Sequence, residues 1–166
     1  DSIGLNGGTT TTGVAREIVL LPELTDPDVP VTLVTNAVNI ASEMTVRQCV
    51  RVVVTGGIAR ARSFELTGPL AELILPSISV GTLFLGVEGI DERGAYAQHD
   101  GEAAVNAALV DAAHRVVVVC DSSKLGTTAF ALICPISKID LVITDDGASA
   151  DQAAALRQAG TEVQLV

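Results

Sequence analysis

Aromatic side chains are almost absent from this chain: one tyrosine, three phenylalanines and no tryptophan in 166 residues. So few rings cannot build the stacking platform on which single-stranded nucleic acids are held. Positive charge is scarce as well, with Lys and Arg totalling 10 against 20 for Asp and Glu and a formal charge of −10. A surface of that sign repels phosphate backbones, so the chain by itself is not expected to bind nucleic acid. An anionic small molecule is still admissible, because backbone amides and a few cations reverse the potential inside one cleft.

Cysteine is limited to Cys49, Cys120 and Cys134. An odd number without metal-ligand spacing argues against a disulfide framework, and each sits in an apolar stretch as a small buried hydrophobe would. His99 and His114 have no partners in a metal-binding pattern, and no Ser/His/Asp or Cys/His arrangement stands out. Neither a metal nor a cofactor is expected, and no residue is assigned a catalytic role. No apolar run reaches the ~18 residues of a membrane span. The amino terminus lacks the charged and apolar regions of a signal peptide. The expectation is a soluble, cytoplasmic protein with no membrane partner.

What is plentiful is aliphatic: 48% of residues are hydrophobic, and most of these are Val, Ala, Leu and Ile. That profile suits parallel strands covered on both faces by Ala-rich helices. Strands are predicted over 2–6, 31–34, 51–55, 80–86, 115–120, 141–144 and 162–166. Helices are predicted over 14–21, 38–44 (with Asn36 as cap), 69–75, 102–113 and 149–159. Between them, 22–30 reads as a polar turn region, 58–63 as a looser stretch and 88–100 as a long polar loop. Strand and helix alternate throughout, so one α/β domain over 1–166 is expected, three-layered, with a parallel-rich sheet flanked by helices. In such sheets ligands bind outside the carboxyl ends of the strands. Polar clusters follow five predicted strands, at Asn6–Thr12, Asn36, Gly56-Gly57, Glu88–Asp91 and Asp121–Lys124. They should converge on one crevice.

Gly7-Gly8-Thr9-Thr10-Thr11-Thr12 follows a strand and opens a helix. Glycines admit an anion to the backbone, first-turn amides point at it, and threonine hydroxyls add donors. The run is neither a Walker loop nor a dinucleotide fingerprint. Glu88 and Asp91 place two carboxylates at a strand end, suited either to hold sugar hydroxyls or to act on them as acid and base. Glu102 begins a helix, where the dipole favours a carboxylate in any case. Lys124 can neutralise a phosphate. Arg60 and Arg62 read as part of a solvated loop.

Leu5-Asn6-Gly7-Gly8-Thr9-Thr10, Val34-Thr35-Asn36, Gly56-Gly57, Gly86-Val87-Glu88-Gly89-Ile90-Asp91, Glu102-Ala103, Asp121-Ser122-Ser123-Lys124-Leu125-Gly126 and 139–145 occur in that order. Together, over essentially the whole chain, they resemble the carboxyl-terminal sensor domain of the DeoR family of bacterial transcription regulators. That domain is similar in fold to ribose phosphate isomerase and glucosamine phosphate deaminase. The resemblance implies a ligand-binding set of Asn6, Gly7, Gly8, Thr9, Thr10, Thr11, Asn36, Gly56, Gly57, Glu88, Asp91, Glu102 and Lys124. It also implies a phosphorylated sugar effector, a homo-oligomer, and a winged helix-turn-helix domain ahead of the sensor that makes the contacts with operator DNA. The chain begins almost at the phosphate loop, so it reads as a fragment of a longer regulator, usually a repressor. The isomerase's acidic motif, helix-start glutamate and Asp-x-Ser-Lys segment fall on Glu88 and Asp91, Glu102, and Asp121–Lys124. Its lysine-and-glycine-rich stretch does not: residues 94–101 contain no lysine. Sensing is therefore expected ahead of the alternatives, a sugar-phosphate isomerase or an oligomerisation domain with a vestigial site.

Overall fold

In the computed structural model, residues 2–24, 26 and 28–166 are described. The chain opens with β1 (Ser2–Leu5), α1 (Thr9–Ile18), β2 (Val31–Thr35), α2 (Val38–Thr45) and β3 (Val50–Val54). A short hairpin follows, β4 (Ile58–Ala59) and β5 (Leu66–Thr67), then α3 (Pro69–Glu72) and β6 (Val80–Leu85). Next come β7 (Gly89–Asp91), β8 (Gly94–Ala97), α4 (Asp100–Ala112) and β9 (Ala113–Val119). The last elements are β10 (Ala131–Pro135), β11 (Leu141–Thr144), α5 (Ala150–Gln158) and β12 (Glu162–Leu165).

Seven strands make one sheet in the order β12-β11-β9-β6-β1-β2-β3, and every neighbouring pair in it is parallel. Side chains alternate across that sheet and bury against the helices on its two faces. Leu5 and Leu33 meet Ala15 and Ile18 of α1 and Ile40 and Met44 of α2 on one face. Val34, Leu83, Leu85, Val116 and Val118 point the other way, onto Leu109 of α4, Leu156 of α5 and Ala71 of α3. Each such aliphatic residue, fully buried, contributes about 1.5–3 kcal/mol. The result is the three-layer α/β fold expected from the sequence.

The departures are local. The helix expected over 14–21 begins at Thr9, directly on the glycine pair, and ends at Ile18. Asn36 does not cap α2. The cap residue is Ala37 with no side-chain bond, while Thr35 Oγ1 accepts from the Ala37 amide at 3.0 Å. The polar loop expected over 88–100 is a β7–β8 hairpin, which joins β10 in a three-stranded antiparallel sheet, β10-β8-β7. The loose stretch over 58–63 belongs to the β4–β5 hairpin. The turn region over 22–30 shows a short 3-10 helix, Pro22–Leu24, and includes Thr25 and Pro27, which lie outside the described residues.

β1 connects to β2 on one side of the sheet, and β6 leads to β9 on the other. The order therefore reverses between β1 and β6. The carboxyl ends of those two strands diverge into separate loops there, leaving a crevice.

Among the described residues no helix is long and apolar enough to cross a membrane.

Candidate functional site

At that reversal lies a cavity of about 730 Å³. Its floor is the turn between β1 and α1. Asn6, only 2% exposed, reaches across to the end of β6: its Nδ2 donates to the Gly86 carbonyl at 3.0 Å, and its Oδ1 accepts from the Gly86 amide at 2.7 Å. This double bond pattern ties two strand ends together and fixes where the glycine loop begins. Gly8, at φ 142, is the N-cap of α1 and supplies no side-chain cap. The first-turn amides thus have neither an intrahelical acceptor nor a side-chain cap, so the positive end of the helix faces the cavity. Thr11 and Thr12 turn their hydroxyls inward to the Gly8 carbonyl, at 3.1 and 2.7 Å, while Thr9 and Thr10 stay exposed on the rim.

Opposite this loop stand charged side chains. Lys124 Nζ lies 3.2 Å from Glu88 Oε2, bridging the ends of β9 and β6. Glu102, in the first turn of α4, is buried and accepts from Ser63 Oγ at 2.6 Å. Arg60 Nε lies 2.9 Å from the same carboxylate, as an ion contact rather than an aligned hydrogen bond. The β4–β5 hairpin therefore forms one wall of the cavity. Cys120 also lines it, but burial first, and then Asp121, push the thiol up to about 12, so it stays a neutral apolar group.

The structure thus brings Asn6, Gly7, Gly8, Thr9, Thr10, Thr11, Glu88, Glu102 and Lys124 to one cavity. Four residues of the expected set do not line it. Asn36 is fully buried behind the cavity, its Nδ2 3.4 Å from Asn106 Oδ1. Gly57, at φ 116, sits where a Cβ would come within 2.7 Å of the Thr67 carbonyl and 2.8 Å of Ala71 Cβ. Its requirement is close packing of the hairpin on α3, and Gly56 beside it, at φ 81, shapes the same turn. Asp91 is turned away into β7–β8: it pairs with Arg93 at 3.0 Å and accepts from the Tyr96 hydroxyl at 3.1 Å. Burial opposes ionisation of Asp91, but the amide and guanidinium of Arg93 together with Tyr96 prevail and hold its carboxyl below the usual range. The expected convergence thus holds for the clusters after β1 and β9, holds after β6 for Glu88 but not Asp91, and fails for those after β2 and β3.

Conversely, residues not in the expected set face the cavity. Arg60 is a wall residue held against Glu102 rather than part of a free solvated loop, Arg62 is exposed as expected but borders the cavity, and His99, Asn39 and Asn106 line it too. The sequence carried one signal for Asn106. It lies one turn after Glu102 on a helix face otherwise made of Ala103, Val105, Leu109 and Val110. Glu65 carried none. It is 3% exposed, and its Oε1 accepts from the Gly7 amide at 2.8 Å. Burial, and then the nearby charge of Glu102, raise its carboxyl to about 7, against the pull of the Gly7 amide, Asn106 and Arg60. No group of three or more His, Cys, Asp or Glu able to hold a metal occurs among the described residues.

The arrangement offers unsatisfied first-turn amides for an anion at one end and hydrogen-bonding carboxylates and side-chain amides on the other walls of the same cavity. Comparison with known proteins bears on the fold and the family. The fold is similar to that of ribose 5-phosphate isomerase A from Methanocaldococcus jannaschii, with a TM-score of 0.50 over 74% of this chain and 45% of that one at 17% identity. In sequence the chain is 38% identical over 163 residues to a protein of Escherichia coli O157:H7 named as an aga operon transcriptional repressor. It is 35% identical over 159 residues to the HTH-type transcriptional regulator GlpR of Haloferax volcanii. These alignments cover 98% and 95% of this chain but only 58% and 59% of those proteins. The model of the DeoR C terminal sensor domain matches residues 1–146, and the chain belongs to that family.

Proposed function

We propose that this chain is the effector-sensing domain of a bacterial transcriptional repressor, and that its ligand is a phosphorylated sugar or a related metabolite. The observation that supports this most is the uncapped amino terminus of α1 opening into a cavity whose other walls carry Glu88, Glu102 and Lys124. A phosphate seats on the amides of 8–11 and the rim hydroxyls of Thr9 and Thr10, with Gly7 shaping the turn and Lys124 adding charge. Sugar hydroxyls meet Glu88 and Glu102. Asn36 and Asp91 act from behind, by holding Asn106 and the β7–β8 hairpin in place.

The domain covers 1–166, and operator DNA is contacted through an amino-terminal winged helix-turn-helix domain. The relatives named as an operon repressor and a transcriptional regulator support this assignment. Occupancy shifts the population between arrangements of a homo-oligomer that present those DNA-binding domains differently, in the cytoplasm. A sensing rather than catalytic role is supported by Glu102, which is engaged by Ser63 and Arg60 instead of standing free as a base.

Thr10→Glu tests the proposal in the full-length regulator. Thr10 is exposed at the rim, so the substitution leaves the core alone and sets a negative charge where the phosphate would lie. Operator affinity without effector should be unchanged, and its response to sugar phosphate should vanish. An undiminished response would place the effector elsewhere.

A further inference from the structure

Glu65 occupies an odd position for a carboxylate. It is buried, it accepts from Gly7, and Gly7 immediately precedes the cap of the helix whose amides are open to an anion. Consecutive Cα atoms are about 3.8 Å apart, so an anion held by the next amides along the chain comes within roughly 4 to 7 Å of Oε1. Two negative charges at that separation in a partly dry site repel strongly.

The repulsion has few outlets. The Glu65 carbonyl accepts from the Arg60 amide at 2.9 Å, Leu66 N donates to the Asn36 carbonyl at 2.6 Å, and Glu65 bridges to Ala37. The backbone is pinned on both sides of the side chain, so the buried carboxylate can withdraw only by turning about its own torsions and giving up its bond to the Gly7 amide. Charge compensation is also spoken for. Glu102, from α4, adds a second negative charge beside Glu65, and Arg60, from the hairpin, pairs with Glu102. The other neighbours facing it are the amides of Gly7 and Asn106. Further round the cavity stand Arg16, Arg62, Glu88, His99, Asp121 and Lys124, of which Lys124 pairs with Glu88.

We propose that Glu65 is a positioning residue of the anion site that takes up a proton when a dianion binds, so that the site's affinity falls as pH rises. This rests on the anion-loop reading above. A neutral carboxyl keeps its acceptor for Gly7 N and ceases to oppose the ligand. Since Glu65 in the unoccupied site titrates at about 7, it is largely neutral below that pH and binding costs no proton there. Above it, each binding event must bring one proton, up to the higher value that the bound dianion imposes.

Inorganic sulfate is the probe, because it remains a dianion across the range. Its dissociation constant, measured at constant ionic strength, should rise by about five- to eightfold from pH 7.5 to pH 8.5. In Glu65→Gln the rise should be less than about twofold, while His99→Gln, which removes the cavity's histidine, should keep the native slope. A flat profile in the native protein, a retained slope in Glu65→Gln, or a lost slope in His99→Gln would each overturn the proposal. Should Glu65→Gln fail to fold, calorimetry of the native protein in two buffers of different ionisation enthalpy decides. Near one proton taken up per sulfate at pH 8 is expected, and none would refute it. Absence of sulfate binding at any pH contradicts the anion loop itself and this inference with it. Binding that ignores pH contradicts only the role of Glu65.

Discussion

Glu65→Gln should make the protein more stable at pH 8, by on the order of 2 kcal/mol, although it alters a buried residue that makes a hydrogen bond to the backbone. The reason is the direction in which folding moves that carboxyl, from 4.5 to about 7. Between those values the native state holds a proton that the unfolded state has released. Stability is therefore fully present below about pH 4.5 and declines as pH rises through about 7, by about 3 kcal/mol in total. Glutamine keeps the acceptor for Gly7 N and the shape of the side chain but has no charge to bury, so the decline should disappear. Denaturant unfolding at a series of pH values measures both curves. The carboxylates held low by their partners, Asp91, Asp121 and Asp145, lose their contributions only as pH falls through the lower acid range, so they do not mask the effect. Parallel pH profiles for the two proteins would show that Glu65 is ionised in the native state throughout.

Gly7→Ala should be the most damaging single change at the site. Gly7 is not among the glycines with positive φ, so alanine can adopt its backbone. The obstacle is Glu65: the new Cβ would collide with its Cγ and lie 3.0 Å from Oε1 and 3.1 Å from Cδ. Because Glu65 is held from both sides, either the loop or the hairpin must shift, at about 1–3 kcal/mol for such overpacking. Anion binding should fall more than about tenfold, since the displaced loop no longer aims its amides at one point. Glu65→Ala in the same chain should recover at least half of the lost stability, a coupling expected of residues in direct contact. Additive losses would mean that the collision is relieved some other way.

Much of the fold was legible because its signals are local. Val116–Val119 and Val31–Val34 read as buried strands from their own composition, and Ser149 with Gln152 forms a capping box where a helix start was expected. The small sheet was not legible. Gly94, Ala95, Tyr96 and Ala97 in β8 are all buried, so no alternation marks the strand, and β10 carries an irregularity between Leu132 and Cys134 and ends in a proline. The site divides the same way. The glycine–threonine loop, Glu88, Glu102 and Lys124 follow strands or start helices, where position alone suggests a role. Glu65 depends on a contact with Gly7 across 58 residues of chain, and nothing near it in sequence announces that contact. Gly56 and Gly57 also follow a strand, but β3 lies at the sheet edge, two strands from the reversal at β1 and β6, and Asn36 follows β2 beside it; Asp91 follows β6 but is drawn into the β7–β8 hairpin by Arg93 and Tyr96. Strand-end position indicates the correct rim of the sheet, and only the strand order tells which part of the rim is the crevice.

The claim on which the rest depends is that this cavity holds a ligand by its phosphate. Calorimetric titration of the domain with a panel of sugar phosphates, each beside its unphosphorylated sugar, tests that directly. At least one phosphorylated member should bind with a dissociation constant below about 1 mM, and its parent sugar should bind roughly a hundredfold more weakly. Equal affinity for both forms, or no binding by any member at millimolar concentration, would contradict it.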